Sequence, residues 1–361
     1  MSVRPKILGI LGGGQLGRMS ALAAARLGII TNIYTPEPDS PAAQVSARTF
    51  VGAWDNKAKL KQFAESVDYI SYEFENIPLD TIQYVSQFCA VLPDENILAI
   101  AQDRIREKKF LNDIGIPTAQ WSAVSHPDDV LNEAKAIGCD AFILKTTRFG
   151  YDGKGQVSCT IHDDIKTKWG QLNFDHIIFE ERIDFDYEIS VIVARDKIGG
   201  VALYGPVLNE HKSHILSRSI CPAPIDKSIA TKALDMTRNI AESLDLVGVL
   251  ALELFVTKDG RVLANEIAPR THNSGHYTID ANAVSQFENH VRTICGLPVG
   301  DTSQHTPATM INLIGDDVRE LGQYYEMENA CVHLYGKHDI KDGRKMGHVT
   351  ILNNNKVDRY D

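Results

Sequence analysis

The chain has 361 residues, 43% of them hydrophobic and 23% charged, an ordinary globular composition too long for a single small core, so two or three domains are expected. A net charge of −10 excludes broad electrostatic capture of nucleic acid or anionic membrane, and the cations that hold any phosphorylated ligand must be local. No apolar run reaches the roughly 18–20 residues of a membrane span, and MSVRPKILGI is no secretory signal, so a cytoplasmic protein without a membrane partner is expected.

Lys6–Leu11 reads as a strand, followed by Gly12-Gly13-Gly14-Gln15-Leu16-Gly17 and a helix over Arg18–Leu27. A G-x-G-x-x-G between strand and helix can bring backbone N–H groups to an anion. A dinucleotide site with Glu37 or Asp39 as its ribose acid is one reading, and a turn that needs glycine for packing is the other. Ile29–Tyr34 is a second strand and Asp68–Tyr72 another, leading into Glu73-Phe74-Glu75-Asn76-Ile77-Pro78. Glu73 thus stands at a strand's carboxyl end, where parallel sheets meet ligands, or simply opens a helix. Ala101–Ile114 reads as one amphipathic helix carrying Arg104 and stopped by Gly115-Ile116-Pro117.

A small α+β unit comes next. The strand Phe142–Lys145 ends in a lysine and faces TTRFGYDGKGQV, with Gly150, Gly153 and Gly155, before the strand Gln156–Cys159. That combination suits a phosphate grip under a flexible lid, or a glycine-rich hairpin with a solvated lysine, and it is no Walker A loop. Ile177–Ile183 is an apolar strand whose departing end offers backbone groups to an adenine. Glu188 on the next strand is placed for ribose hydroxyls or as a plain edge acid. Val201–Leu208 leads to Asn209-Glu210-His211-Lys212, and Asp226–Leu244 is a long helix.

Val249–Val256 and Arg261–Ala268 read as a hairpin around Asp259-Gly260. A two-residue loop pairs Lys258 with Arg261 and sets Glu253 opposite Glu266. Facing side chains lie about 4.5–5.5 Å apart at Cβ, and like charges there need compensation. A divalent cation supplies it. Oxygen ligands without His or Cys suit Mg²⁺, which takes one or two carboxylates plus phosphates. Arg270, His272, Asn273, Ser274 and His276 follow at once, more polar chemistry than a surface turn needs. Ser285–Cys295 is then helical and Ala308–Ile314 a strand, and the tail carries Lys337, Arg344 and Lys345, a phosphate site or a hairpin turn. The six cysteines lack C-x-x-C spacing and read as reduced, mostly buried thiols.

The segments ILGGGQLGRM, SYEFENIP, GYDGKGQ after a strand-end lysine, NEIAPRTHNSGH and GRKMGH occur in this order from about Ile7 to about Leu352. Together they resemble the 5-(carboxyamino)imidazole ribonucleotide synthetases, an ATP-grasp family of purine biosynthesis. The resemblance implies an α/β and α+β ATP-grasp fold of three domains. These are an N-terminal Rossmann-like parallel sheet (1–100), a linker helix with a small lid (101–184) and a C-terminal mixed-sheet domain with the metal site (185–361). It implies an ATP-dependent carbon–nitrogen ligase that carboxylates 5-aminoimidazole ribonucleotide with bicarbonate through carboxyphosphate, acting as a homodimer. Mg²⁺, or Mn²⁺ in its place, would sit on Glu253 and Glu266. ATP would meet Arg104, Lys145, the lid residues Gly150, Tyr151, Asp152, Gly153, Lys154, Gly155 and Gln156, and the adenine segment Glu180, Glu181, Arg182 and Ile183. Glu188, His211, Asn265 and Glu266 complete that pocket. Arg270, His272, Asn273 and Ser274, with Asp152 and Lys154 from the lid, are the catalytic candidates. Gln15, Leu16, Glu73, Tyr151, Lys337, Arg344 and Lys345 would take the ribonucleotide, so the first glycine loop serves a nucleotide monophosphate and not NAD. Phe149 departs from the family, which usually has two glycines before the Tyr-Asp, and a terminal helix common among relatives is short or missing. The other readings are a formate-dependent glycinamide ribonucleotide transformylase or biotin carboxylase-like ligase, an NAD oxidoreductase, and a non-catalytic scaffold on the same frame.

Overall fold

The computed structural model describes residues 4–150, 153–172, 174 and 176–353. The first sheet is parallel, in the order β3-β2-β1-β4, from β1 (Ile7–Leu11), β2 (Ile30–Thr35), β3 (Arg48–Val51) and β4 (Tyr69–Tyr72). Its strands are largely buried because both faces are covered, one by the helix Gln15–Arg26 and the other by a cluster around Phe63, Ile82 and Leu98. Since β1 and β4 are neighbours, their carboxyl ends bring the glycine loop and Glu73 together.

The second sheet is antiparallel, in the order β5-β8-β6-β7, from β5 (Trp121–Val124), β6 (Ala141–Thr146), β7 (Gln156–Thr160) and β8 (Ile177–Glu181). Phe142, Leu144, Ile177 and Phe179 pack on the short helices of one face. Alternation therefore turns Lys145 and Glu180 to the other face. The strand expected to run to Ile183 stops at Glu181, leaving Arg182 and Ile183 in the link to the third sheet.

That third sheet has eight strands in the order β13-β12-β9-β10-β11-β14-β16-β15. They are β9 (Phe185–Arg195), β10 (Val201–Lys212), β11 (Ile215–Cys221), β12 (Gly248–Thr257), β13 (Val262–Ala268), β14 (Ala308–Ile314), β15 (Ala330–Leu334) and β16 (Lys345–Leu352). Neighbours pair antiparallel, and a single parallel bridge joins Thr118 to Ala264 at the β13 edge. One face, with Val191, Leu252, Leu254 and Ile267, is the main core and packs on the helices Lys227–Ser243 and Arg104–Asp113. The other carries the polar partners of the alternation. The helix Gln286–Ile294 fastens this sheet to the first one, burying Phe287, Val291 and Ile294 against Leu8, Ile10 and Met19.

Two local expectations need correction. The helix expected over Ala101–Ile114 is two helices, Glu95–Ala101 and Arg104–Asp113. Asp103 leaves the helical conformation at φ −132° and its carboxylate accepts from the N–H groups of Ile105 and Arg106, a cap that restarts the chain in a new direction. The hairpin loop also has three residues, not two. Gly260 sits at φ +78°, Thr257 N–H donates to the Arg261 carbonyl, and Val256 pairs with Val262, the arrangement a left-handed glycine allows. The register is thereby displaced by one. A bulge at Asn265 displaces it back, so Glu253 faces Glu266 as expected. All six cysteines are free, three buried and three half-buried. No helix among the described residues is long and apolar enough to cross a membrane. The stretch where a terminal helix was at issue, from 354 onward, lies outside the described residues.

Candidate active site

The two carboxylates share the polar face of the third sheet. Glu253 Oε1 lies 3.0 Å from His272 Nε2, and Glu266 Oε2 lies 3.2 Å from Arg104 Nη1. Burial pushes the Glu253 carboxyl up, but the hydrogen bond from His272 and the nearby positive charge outweigh it and hold the group below the ordinary carboxylate range. The bulge leaves Asn265 unopposed beside Glu266, and Asn265 lines a cleft with Glu188, Asn209, Glu253 and Phe255. Among the described residues no cluster of three or more His, Cys, Asp or Glu is placed to hold an ion unaided. Two carboxylates completed by phosphate oxygens and water are what Mg²⁺ takes, so this donor set fits it. Both amide atoms of Asn273, next to His272, are buried without a protein partner. An orphaned donor and acceptor at that position await a polar ligand.

The nucleotide candidates converge from three elements. Lys145 Nζ is buried 2.7 Å from Glu180 Oε2, and Lys108 Nζ approaches the same oxygen at 3.7 Å while donating to the Asn265 carbonyl. Against the effect of burial, Lys108 and Lys145 bring the Glu180 carboxyl down to about 2. Burial lowers the Lys145 ammonium more than Glu180 restores it. Arg104, first residue of its helix, also reaches the Gly150 carbonyl at 3.5 Å and so links the lid to Glu266. Glu188 lies 2.6 Å from His211 Nδ1 across β9 and β10. On the lid, Gly153 and Gly155 have φ of +78° and +69°, and Gln156 pairs with Lys145 in the sheet. Lys154 lies between those glycines. Tyr151 and Asp152 fall outside the described residues. Phe149 has φ +64°, a left-handed conformation natural to glycine and strained for a residue with a Cβ.

At the other end of the site the glycine loop is already filled. The Glu73 carboxylate accepts from the N–H groups of Gly14 and Gly17, and a Cβ on Gly12 would lie 2.3 Å from its side chain. The helix N-terminus therefore holds a protein acid, and a pyrophosphate would have to displace it. Asp39 is taken by His338 at 3.0 Å. Both facts oppose the dinucleotide reading. Gln15 and Leu16 open the helix beside Glu73. Lys337 and Arg344 stand on the loop that faces this region and Lys345 opens β16 beside it, with Gly336 bound through its carbonyl to Gln44. Burial, Arg344 and Lys345 bring the Lys337 ammonium down to about 8, with Glu73 opposing them.

Several residues were not singled out from the sequence. Glu75 grips Arg270 with both oxygens, one bond at 2.9 Å; burial opposes its ionisation, yet Arg270 brings it down to about 2. Glu107 is buried, accepts from Ile267 N–H at 2.6 Å and is pushed up to about 8 by burial and by Glu266. Lys108, Ser190 and Asn209 complete the group. Only period-two spacing, Glu75 after Glu73 and Ser190 after Glu188, hints at any of them.

A lid sheet over an antiparallel sheet with paired carboxylates, behind a Rossmann-like unit, defines the ATP-grasp class of proteins. Residues 109–287 match the ATP-grasp domain, 5–102 the ribonucleotide synthetase preATP-grasp domain and 308–359 the phosphoribosylaminoimidazole carboxylase C-terminal domain. A Brucella melitensis protein named N5-carboxyaminoimidazole ribonucleotide synthase is 46% identical over 354 residues, 97% of this chain and 98% of that one. Its Bacillus subtilis counterpart is 39% identical, covering 96% and 91%. Among solved structures, the ADP complex of an N5-carboxyaminoimidazole ribonucleotide synthetase has a TM-score of 0.93 at 40% identity, covering 98% of this chain and 94% of that one. The Aspergillus clavatus enzyme in complex with ADP and 5-aminoimidazole ribonucleotide has a TM-score of 0.90 at 30% identity, covering 97% and 94%. The chain belongs to the N5-carboxyaminoimidazole ribonucleotide synthase family.

Proposed function

We propose that the protein carboxylates the exocyclic amine of 5-aminoimidazole ribonucleotide with bicarbonate, converting ATP to ADP and phosphate. The observation that carries this reading is the bidentate contact of Arg270, from the run that follows the Glu253/Glu266 hairpin, with Glu75, two residues beyond Glu73. In this reading the Glu253/Glu266 pair would lie at the nucleotide end and Glu73 with Lys337 at the ribonucleotide end. Bicarbonate oxygen attacks the γ-phosphorus to give carboxyphosphate and ADP. Carboxyphosphate releases CO₂ and phosphate, and the amine adds to CO₂ with loss of one proton. Mg²⁺ on Glu253 and Glu266 would neutralise charge on the ATP phosphates. The protein's own part is positioning and charge placement. Lys145 and Arg104 would hold phosphates, and the segment Glu180 to Ile183 with Glu188, His211 and Asn265 would hold the nucleoside. Arg270, His272, Asn273 and Ser274 would face bicarbonate and carboxyphosphate, with Asp152 and Lys154 closing over them. Since Glu73 fills the glycine loop, the phosphate of the ribonucleotide would go to Lys337, Arg344 and Lys345, with Gln15, Leu16, Glu73 and Tyr151 around the rest. We place the three domains at 1–100, 101–184 and 185–361, in a cytoplasmic homodimer.

The test is ADP release with each acceptor in turn. Bicarbonate-dependent release that appears only with aminoimidazole ribonucleotide is expected; release with formate and glycinamide ribonucleotide would assign the chain to the transformylase reaction. Glu266→Gln should stay folded and lose several orders of magnitude in turnover, about 4 kcal/mol or more. Unchanged turnover would mean that Glu266 does not hold the metal, and no turnover in the unsubstituted chain would mean a scaffold.

A further inference from the structure

A single file of buried polar side chains crosses the third sheet and ends on Glu253, and nothing in the reaction as described uses most of it. Ser219 on β11 donates to Asn209 Oδ1 at 2.9 Å, and Asn209 Nδ2 donates to Ser190 Oγ at 2.9 Å. Ser190 donates to Ser274 Oγ at 2.7 Å, Ser274 Oγ meets His272 Nδ1 at 2.9 Å, and His272 Nε2 meets Glu253 Oε1 at 3.0 Å. Ser190 lies directly opposite Glu253, and Asn209 opposite Ser219, so three adjacent strands each supply one member. All of Ser190, Asn209, Ser219, Ser274 and His272 are buried.

The direction of the file follows from counting protons. Ser274 accepts the Ser190 hydroxyl, so its own proton is left for His272 Nδ1. The backbone N–H of Ser274 also points at Nδ1, at 3.4 Å, and a backbone amide cannot reverse. Nδ1 is thereby an acceptor from two sides, and the ring's proton sits on Nε2, against Glu253. Gln286 clamps the backbone of the same histidine, accepting from His272 N–H at 2.8 Å and donating to its carbonyl at 2.6 Å. The ring is thus fixed in place by Gln286 and in tautomer by the serines.

We infer that Ser190, with Asn209 and Ser219 behind it, is a positioning residue for the reaction: it sets the His272 tautomer, which holds one oxygen of Glu253 and leaves the other turned to the cation. This role rests on the proposed carboxylation only for its consequence in turnover. A carboxylate that binds a metal through one oxygen and is hydrogen-bonded at the other keeps a fixed orientation, and removing such an outer partner commonly costs 10- to 100-fold in activity or metal affinity. Without the Ser190 hydroxyl, Ser274 is free to turn and accept from Nδ1–H, and only the long 3.4 Å contact from its backbone N–H still opposes that tautomer.

The experiment is long-range ¹H–¹⁵N NMR of the imidazoles on the full chain without nucleotide or metal, with His272→Gln to assign the signal. The expected wild-type spectrum shows protonated Nε2 and unprotonated Nδ1. Ser190→Ala should move both shifts toward averaged values and lower kcat about tenfold, with KM for ATP within about twofold. A proton on Nδ1 in the wild type, or His272 shifts unmoved by Ser190→Ala, overturns the inference. Should Ser190→Ala fail to fold, Ser219→Ala is read by the same shifts, with a smaller change expected and none overturning it. Because the spectra need no turnover, a fixed tautomer in a protein that does not carboxylate the amine would refute the proposed reaction and leave this inference standing.

Discussion

Arg270 shows how one side chain can be present in a motif and still lack its meaning there. The segment NEIAPRTHNSGH supplies the guanidinium, but its orientation comes from Glu75, 195 residues away. A bidentate carboxylate fixes both the plane and the charge of an arginine. Glu75→Gln keeps the shape and gives up the charge, so kcat should fall about 10- to 100-fold, roughly 1.4–2.8 kcal/mol, while KM for ATP changes little; steady-state kinetics with ATP and aminoimidazole ribonucleotide varied separately checks it. Phe149 is the converse case, a residue whose departure from its relatives was visible while its cost was not. At φ +64° a residue with a Cβ pays about 1–2 kcal/mol. Phe149→Gly should therefore be more stable than Phe149→Ala by about 1 kcal/mol in urea unfolding, inverting the usual order of the two residues. Equal midpoints would show that the lid does not hold this backbone in place.

At the scale of elements, periodicity located most strands and the four longest helices, and left the short helices and the joints unresolved. The helix over Ala101–Ile114 was read as continuous because its apolar pattern passes through Gln102-Asp103 without a proline or glycine. Capping by Asp103 decides otherwise, and the break is what sets Arg104 at a helix start between the lid and Glu266. Asp103→Ala should cost about 1 kcal/mol and lower the melting temperature by a few degrees. The apparent affinity for ATP should weaken with it, measurable by titration with a slowly hydrolysed analogue. In the hairpin, two features cancelled. The three-residue turn and the Asn265 bulge each displace the strands by one, so the pairing of Glu253 with Glu266 was reached through a loop of the wrong length. A one-residue slip without the bulge would have sent Glu266 to the core face.

The whole molecule is where buried titratable groups add up. His276 and His348, joined through Tyr335 Oη at 3.0 and 2.9 Å, are held well below the ordinary histidine range chiefly by burial, and burial brings His290 down to about 4. Each is neutral in the fold and takes up a proton on unfolding below about pH 6.5, so their contribution is complete above that value and is lost as pH falls toward 4. Glu107, pushed up to about 8, works the other way: its contribution is complete below about 4.5 and is lost as pH rises through 8. Three histidines outweigh the two raised acids, Glu107 and Glu73, between pH 4.5 and 6.5, so stability should climb there. It should decline gently from about 6.5 to 8, where Glu107 and the raised His211 lose their contributions. Urea midpoints measured across this range test both limbs, and Glu107→Gln should flatten the upper one.

The sequence by itself determined three of the four strands of the parallel sheet, the glycine lid, the two facing acids and the polar run behind them, because alternation, turn residues and contiguous motifs are local and survive in one dimension. Only the tertiary structure decided that Glu73 fills the glycine loop, that Glu180 pairs with Lys145 and Lys108, that Glu75 holds Arg270, and that a file of serines reaches His272. Those contacts join different strands and different sheets. Whether a buried charge or hydroxyl finds its partner depends on which elements pack together in space, a matter on which the spacing of residues along the chain is silent.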